Sequence, residues 1–322
     1  MADELDLLRA ADPAPADGPH FGDGPLDHNA ERHLVRLLHD AGSGRRTWAR
    51  PRLLWGPAAA AVVTATTLTV LFGGPSGAPA VAAPRPLTVR AHSTAVPLAQ
   101  VAELAAVAAT DGSPALRRGT HVQSWSLAMS DDRPPVTLPE ERVVRWRADG
   151  THTEVVVATD PDHAGRPVLT GTGRVEDGQV LSRRTFPPMW GDAPPLSTPP
   201  HDPAKLRAYL TDLIHSGTLT ASELLDATAE LLDNWTLGAR ETAALAELFA
   251  DAKGLRPAGQ VTDRLGRTGQ AYVLAEGTGG RRMLILDPAT GAVLGLETTF
   301  TRDDPAYGVR AGDVMEYRAW LR

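Results

Sequence analysis

The chain has 322 residues, of which 42% are hydrophobic and 22% charged, so it can form one large or two modest domains with buried cores. It carries 32 basic and 39 acidic residues, and the net charge of −7 gives no electrostatic basis for binding nucleic acid. The absence of cysteine excludes disulfides, thiol nucleophiles, cysteine-ligated zinc and iron–sulfur clusters.

Residues 1–52 are predicted to form a cytoplasmic, mostly flexible tail, because proline and glycine recur throughout residues 13–25. Residues 26–39 are the exception, since their leucines share one face of a short amphipathic helix. Three histidines in this stretch are five and six residues apart and therefore lie on different helix faces, so we predict no metal site there. They are His28, His33 and His39.

Residues 53–72 contain no charged side chain and are predicted to form a transmembrane helix, because 20 helical residues span about 30 Å, the thickness of the hydrocarbon core. Several arginines precede this run, whereas the first basic residue after it is Arg85. The positive-inside rule therefore places the N-terminus in the cytoplasm and the C-terminal part outside the membrane. The topology-determining residues are Arg45, Arg46, Arg50 and Arg52.

A buried core helix and a cleaved signal peptide are the alternatives for this apolar run. The run is longer than most core helices, and about 50 residues before it are too many for the n-region of an ordinary signal peptide. We therefore expect an uncleaved, single-pass anchor. Residues 73–90, rich in proline, glycine and alanine, are predicted to form a semi-rigid stalk below an extracytoplasmic domain of residues 91–322.

The domain begins with an amphipathic helix predicted over residues 97–110, after which the apolar period changes from helical to alternating. Residues 121–130 are predicted to form a half-buried strand. Two hairpins are predicted over residues 142–158 and 173–185, because each contains an Asp-Gly turn between alternating segments. The first half of the domain is therefore expected to be an antiparallel meander.

The second half of the domain returns to helices after a proline-rich stretch and then ends in strands. The pattern predicts an α+β fold, in which a curved antiparallel sheet, an open half-barrel, is covered by inserted helices and preceded by one transmembrane helix. The predicted helices are 203–215, 222–232 and 239–252, and the predicted strands are 259–264, 270–276, 282–286, 292–300 and 314–321.

Several stretches carry a resemblance to a known family: residues 2–10, the arginine-flanked span, the strand around Trp125, residues 146–150 and residues 284–296. They resemble uncharacterised actinobacterial single-pass membrane proteins that are often encoded beside extracytoplasmic-function sigma factors, and the similarity covers nearly the whole chain. This resemblance implies a protein of the cell membrane. The order of elements is also loosely similar to the half-barrel of lipoprotein-carrier and sigma-regulatory domains.

Motifs of known enzymes are missing: the sequence has no G-x-S-x-G, H-E-x-x-H, S-x-x-K or P-loop pattern. We predict no catalytic, cofactor-binding or metal-binding residue. Residues 160–163 (DPDH) could supply oxygen and nitrogen ligands to a cation, but the same residues suit an ordinary turn. A hydrolase whose site only three-dimensional geometry would reveal remains an alternative.

An apolar pocket is the candidate binding site that the sequence offers. If the sheet curves around a cavity, inward-facing side chains of two strands would line a pocket for an acyl chain or a peptide. The sequence favours the simpler interpretation, in which the same side chains fill the core beneath the helical segment 203–253. The pocket residues are Trp125, Leu127, Met129 and Trp146.

The predicted function is therefore a membrane-anchored extracytoplasmic binding or sensory protein that regulates a sigma-factor pathway. A lipid-binding or lipoprotein-binding carrier is the second hypothesis, although a carrier must leave the membrane and an uncleaved anchor opposes that. The expected partners are the lipid bilayer, a hydrophobic ligand or envelope protein outside the cell, and a sigma factor or its regulator inside. No cofactor is expected.

Overall fold

The predicted tail, span and arginine cluster lie outside the residues that the computed structural model describes, which are 84–130, 133–159, 169, 172–175, 178–188, 197–275 and 279–322. Within these residues, no helix is both long and apolar enough to cross a membrane. The described elements are α1 (Leu98–Ala108), β1 (Arg117–Ser130), β2 (Arg133–Trp146), β3 (His152–Ala158), β4 (Val180–Phe186), α2 (Pro203–Leu213), α3 (Ala221–Leu232), β5 (Trp235–Thr236), α4 (Ala239–Asp251), β6 (Arg256–Thr262), β7 (Thr268–Ala275), β8 (Gly280–Leu286), β9 (Val293–Phe300) and β10 (Val314–Trp320).

One antiparallel sheet contains all the described strands. Its order is β4-β3-β2-β1-β10-β9-β8-β7-β6, and the two-residue strand β5 pairs with β1 beside this path. The early and late strand groups meet where β1 pairs with β10, with Val122 opposite Trp320 and Ser126 opposite Glu316. The sheet is open, since its order ends at β4 on one side and β6 on the other. The predicted α+β class with an antiparallel sheet is confirmed.

The helices pack on one face of the sheet, which we call the helix face and define by Val122, Leu284 and Trp320. Side chains alternate along a strand, so residues opposite each other in register share a face. The apolar stripes of α2, α3 and α4 meet this face in one core, because each helix carries leucines at helical spacing. Its buried members include Val122, Leu206, Leu210, Leu224, Leu231, Leu245, Phe249, Tyr272, Leu284 and Trp320.

Local signals fix where the helices begin. At α3 the Thr220 hydroxyl accepts from the Glu223 N–H while the Glu223 carboxylate accepts from the Thr220 N–H, which forms a capping box. At α2 the Asp202 carboxylate accepts from the Lys205 N–H, and Pro203 occupies the first turn. These caps fix the starts of α2 and α3, and all four predicted helices are observed within a few residues of their expected ends.

Residues 84–96, which precede α1 and which we call the strap, lie along the other face of the sheet and then along its β6 edge. Val89 bridges Val261, and Leu87 and Val89 pack against the buried side chains of that face. We call it the strap face and define it by Trp125 and Tyr317. Residues 84–90, assigned to a stalk from composition, are therefore in contact with the sheet.

Two strand assignments differ from the sequence prediction. β2 begins at Arg133, well before the predicted residue 142, because pairing with the long strand β1 outweighs the prolines at its start. The predicted hairpin of residues 173–185 is also corrected, since β4 pairs with β3 instead, while Val175 bridges Leu169. The Asp-Gly turn between β2 and β3 is confirmed, with Gly150 at φ 82°.

Candidate functional site

The four predicted pocket residues divide between the two faces of the sheet. In the β1–β2 register Gly119 lies opposite Arg145, so these two residues share a face. Trp125 is an even number of residues from Gly119 and lies on that face, the strap face. Trp146 follows Arg145 directly and therefore lies on the helix face. Leu127 and Met129 share the parity of Trp125 and lie on the strap face as well. The expectation that Trp125 and Trp146 lie together beneath the helices is therefore corrected, because the sheet itself separates them.

Trp125 fills a core on the strap face. Its side chain is 4% exposed, and its ring centroid lies 6.1 Å from that of Tyr317 in a tilted arrangement. The Arg264 guanidinium covers it, with Cζ 4.6 Å from the ring centroid. Leu127 is buried beside Phe300 and Val309, with Met129 partly buried at the edge of the same group. These three predicted pocket residues are packed against protein groups.

Trp146 belongs to a stack that crosses the first four strands on the helix face. Its ring stacks on His152 at 4.1 Å between centroids, and His152 stacks on Phe186 at 4.6 Å. On the other side the Arg118 guanidinium lies 3.4 Å from the Trp146 ring centroid. The stack therefore occupies both sides of the Trp146 ring.

A network of buried charges lies on the helix face beside this stack and is centred on Asp233, the residue that follows α3. Asp233 is 4% exposed and contacts Arg142 at 3.4 Å and Arg318 at 2.7 Å. Arg142 also faces Glu154 at 3.5 Å, and Arg318 donates to Glu316 at 2.5 Å. Two arginines of the sheet are thus joined through one carboxylate to the helical layer.

Burial and charge act in opposite directions on these groups. Burial alone would lower the pKa of Arg318, but the carboxylates of Glu316 and Asp233 raise it above its ordinary value. Arg318 therefore remains charged within the network.

Glu140 is a buried carboxyl of this region whose pKa lies near neutral. It lies on the helix face of β2, two residues before Arg142 in the chain, and is 7% exposed. Burial raises the pKa of Glu140 to about 7, with Glu154 adding to the rise while Arg142 and the Ser124 hydroxyl oppose it. The Ser124 hydroxyl lies 3.4 Å from the carboxylate. Glu140 can therefore take up or release a proton near pH 7.

On the opposite, strap face, Glu141 forms a pair with His121. His121 Nε2 lies 2.6 Å from Glu141 Oε1, and Gln123 Nε2 donates to Glu141 Oε2 at 2.9 Å. A serine nucleophile would have to share this face, but Ser124 and Ser126 of β1 lie on the helix face. The pair therefore does not form a triad with the serines nearest to it in the sequence.

A cavity of about 20 Å³ lies between α3, α4, β5 and the C-terminal residues. That volume holds about one water molecule and is far below what an acyl chain needs. Its lining includes Thr120, Trp235, Thr242, Leu245, Trp320 and Arg322.

The described residues contain no group of three or more histidine, aspartate or glutamate side chains placed to hold a metal ion. The histidines of the predicted tail and the turn at residues 160–163 lie outside the described part of the chain.

The buried charges were not predicted as a site. Their signal was present, because Glu140 and Arg142 alternate in β2 and so share a face, but only the register with β1 shows that this face meets α3. No protein-family model matches the chain, and a comparison with curated proteins finds no match. The arrangement of the described residues is therefore the basis for any functional conclusion.

Proposed function

We propose that the chain is a non-catalytic, single-pass protein of the cell membrane whose C-terminal domain binds a ligand or envelope protein outside the cell. In this proposal residues 53–72 cross the bilayer and the N-terminal tail signals to a sigma factor or its regulator. The observation that carries the proposal is the single sheet that joins both strand groups, with the helical segment inserted between them packed on one face. That arrangement supports the likeness to half-barrel sensory domains.

The buried charge network supports a binding role over an enzymatic one. Its arginines are engaged by carboxylates, which leaves no converging nucleophile, base and oxyanion donor within the network. What the network offers is a rigid connection between the sheet and α3, together with a carboxyl, Glu140, that titrates near neutral pH. A sensor needs a connection of this kind to pass a change at one of its surfaces to another.

The lipid-carrier hypothesis has less support. A carrier needs an apolar space beneath the helices, but the described core there is filled by leucine and aromatic side chains, and the cavity at its edge holds about 20 Å³. Trp125 and Trp146 also lie on opposite faces and cannot line one pocket.

The first prediction concerns topology. Reporter fusions after Gly44 and after Arg90 should report opposite compartments, with the first inside the cell, because the arginines before residue 53 keep the N-terminus in the cytoplasm. Replacing the four arginines Arg45, Arg46, Arg50 and Arg52 by alanine should weaken that difference. Two fusions that report the same compartment would contradict the proposal. So would residues 90–322 that stay intact when protease is added to whole cells in which the outer face of the membrane is accessible.

The second prediction concerns bound lipid. Residues 84–322 expressed alone should unfold in one cooperative transition and give a native mass spectrum at the mass of the polypeptide, because the core is filled. Replacing Trp146 by alanine tests the same point, because it removes the large side chain of the one predicted pocket residue that lies on the helix face. Lipid that copurifies with the unaltered domain would instead favour the carrier hypothesis.

A further inference from the structure

The strap (residues 84–96) is the described segment that leads from the predicted anchor into the folded domain. At its β6 end the Arg90 N–H donates to the Gln260 carbonyl at 2.7 Å, and Val89 bridges Val261. Leu87 and Val89 are half-buried, as is Pro86, whereas Thr88 and Arg90 are exposed. Residues 87–90 therefore rest on the sheet through alternate side chains, as an added strand does.

A single ion pair holds the beginning of the strap. Glu297 on β9 accepts from the Leu87 N–H at 2.8 Å and, through its other oxygen, from Arg264 Nη2 at 2.5 Å. The same Arg264 nitrogen donates to the Arg85 carbonyl at 2.8 Å. Two backbone groups of the strap are thus bound by two side chains that belong to the sheet and its β6–β7 turn.

The ion pair is itself buried and positioned by aromatic rings. The side chains of Arg264 and Glu297 are 9% and 1% exposed. The Arg264 guanidinium lies over Trp125 and 5.0 Å from the Tyr317 ring, and the Arg264 N–H donates to the Tyr317 hydroxyl at 3.1 Å. Because charge-assisted hydrogen bonds are about twice as strong as neutral ones, this pair contributes a large share of the attachment of residues 85–87.

Residues 84–90 cover an apolar strip of the strap face. The strip consists of buried side chains on β6, β7 and β8, with which Leu87 and Val89 pack. Their strands are paired within the sheet independently of the strap, with Ala271 opposite Ile285, Val261 opposite Gly269 and Met283 opposite Val273. Detachment of the strap would therefore expose the strip without breaking the sheet. The strip is Val261, Ala271, Met283 and Ile285.

We propose that residues 84–90 detach from the sheet while the sheet stays folded, and that the Arg264–Glu297 pair is the catch that controls their detachment. The inference rests on the proposed function, since in an anchored protein this segment joins the bilayer to the domain. Seven released residues lengthen that connection by about 23 Å at about 3.3 Å per residue. Release thereby changes both the reach of the domain and the surface that it presents.

Hydrogen exchange of the full chain in lipid nanodiscs tests the catch. Glu297→Gln keeps the shape of the side chain and an oxygen for the Leu87 N–H, but removes the charge that faces Arg264. The amides of Leu87 and Arg90 should exchange at least tenfold faster, while those of β7 and β8 stay unchanged. The matched control is Glu316→Gln, which breaks a glutamate–arginine pair on the helix face of the neighbouring strand and should leave strap exchange unaltered.

A second pair of variants keeps the test decisive if Glu297→Gln folds poorly. Arg90→Pro removes the N–H that binds Gln260, whereas Thr88→Pro removes an N–H that makes no hydrogen bond within the described residues. Only the first should accelerate exchange at Leu87. Equal effects of the two proline variants, unchanged strap exchange in Glu297→Gln, or equal acceleration in β7 and β8 would each overturn the proposal.

A disulfide provides the converse test, since the chain has no cysteine of its own. Val89→Cys with Val261→Cys places two thiols at antiparallel bridge partners, a separation that a disulfide can span. Its oxidation should cancel the faster strap exchange caused by Glu297→Gln, and persistence of fast exchange would contradict the catch. Exchange does not depend on which side of the membrane the domain faces, so failure of the topology prediction remains distinguishable from failure here.

Discussion

Replacing Asp233 by alanine is expected to lower the free energy of unfolding by about 3–5 kcal/mol, the usual cost of removing one partner from a buried ion pair. Asp233 is buried and contacts Arg142 at 3.4 Å and Arg318 at 2.7 Å. Without it both guanidinium groups keep their burial and lose a shared carboxylate. The loss is large because Asp233, at the C-terminal end of α3, also joins this helix to the sheet.

Urea denaturation at neutral pH measures this loss, with Asp251→Ala as the matched control. Asp251 is also an aspartate at the end of a helix, but its side chain is 68% exposed and lies 3.7 Å from Arg207. An exposed pair of this kind contributes about 0–1 kcal/mol, so the control should remain close to the unaltered protein. Similar losses in the two variants would show that the Asp233 network does not stabilise the fold.

The helices could be predicted from the sequence because their information is local. Apolar residues at helical spacing and capping residues such as Asp202 and Thr220 act within one or two turns, and the structure uses them where they occur. The late strands were also predicted, since Gly-rich turns separate them. The turn at residues 287–291 ends in Gly291, whose φ of 72° and close approach to Ala105 and Ala246 both require glycine.

The faces of the sheet could not be predicted in the same way. Alternation shows that Trp125 and Leu127 share a face and that Glu140 and Arg142 share a face, but it does not relate the two strands to each other. That relation depends on the β1–β2 register, in which Trp125 lies opposite Pro139. An error of one residue in register reverses every side chain, which is why the predicted pocket combined residues from both faces.

The charge network was hidden for a related reason. Arg142, Asp233 and Arg318 are far apart in the chain, and each alone has the sequence signature of a solvated side chain. Only the pairing of β1 with β10 brings Arg318 near Arg142 and the end of α3. Long-range strand pairing therefore determines the site, whereas local pattern determines the elements that carry it.

Replacing Glu140 by glutamine is expected to stabilise the protein above neutral pH and to have little effect near pH 4.5. The ordinary pKa of this carboxyl is 4.5 and its folded value is about 7, so between these values the folded state holds more protons than the unfolded state. Rising pH then removes stability contributed by this group, and the loss is complete above pH 7. At 1.36 kcal/mol per pKa unit, the difference amounts to about 3 kcal/mol.

The measurement is the difference in unfolding free energy between Glu140→Gln and the unaltered protein at pH 4.5, 6 and 8, in which the titration of groups that do not interact with Glu140 cancels. The difference should grow with pH and level off above pH 7. Glu154→Gln is the informative partner variant: Glu154 contributes to raising the Glu140 pKa, so its loss should move the pH-dependent step to lower pH. If Glu140→Gln is instead less stable than the unaltered protein at pH 8, then Glu140 is ionised in the fold and stabilised by Arg142, and it cannot exchange a proton near neutral pH.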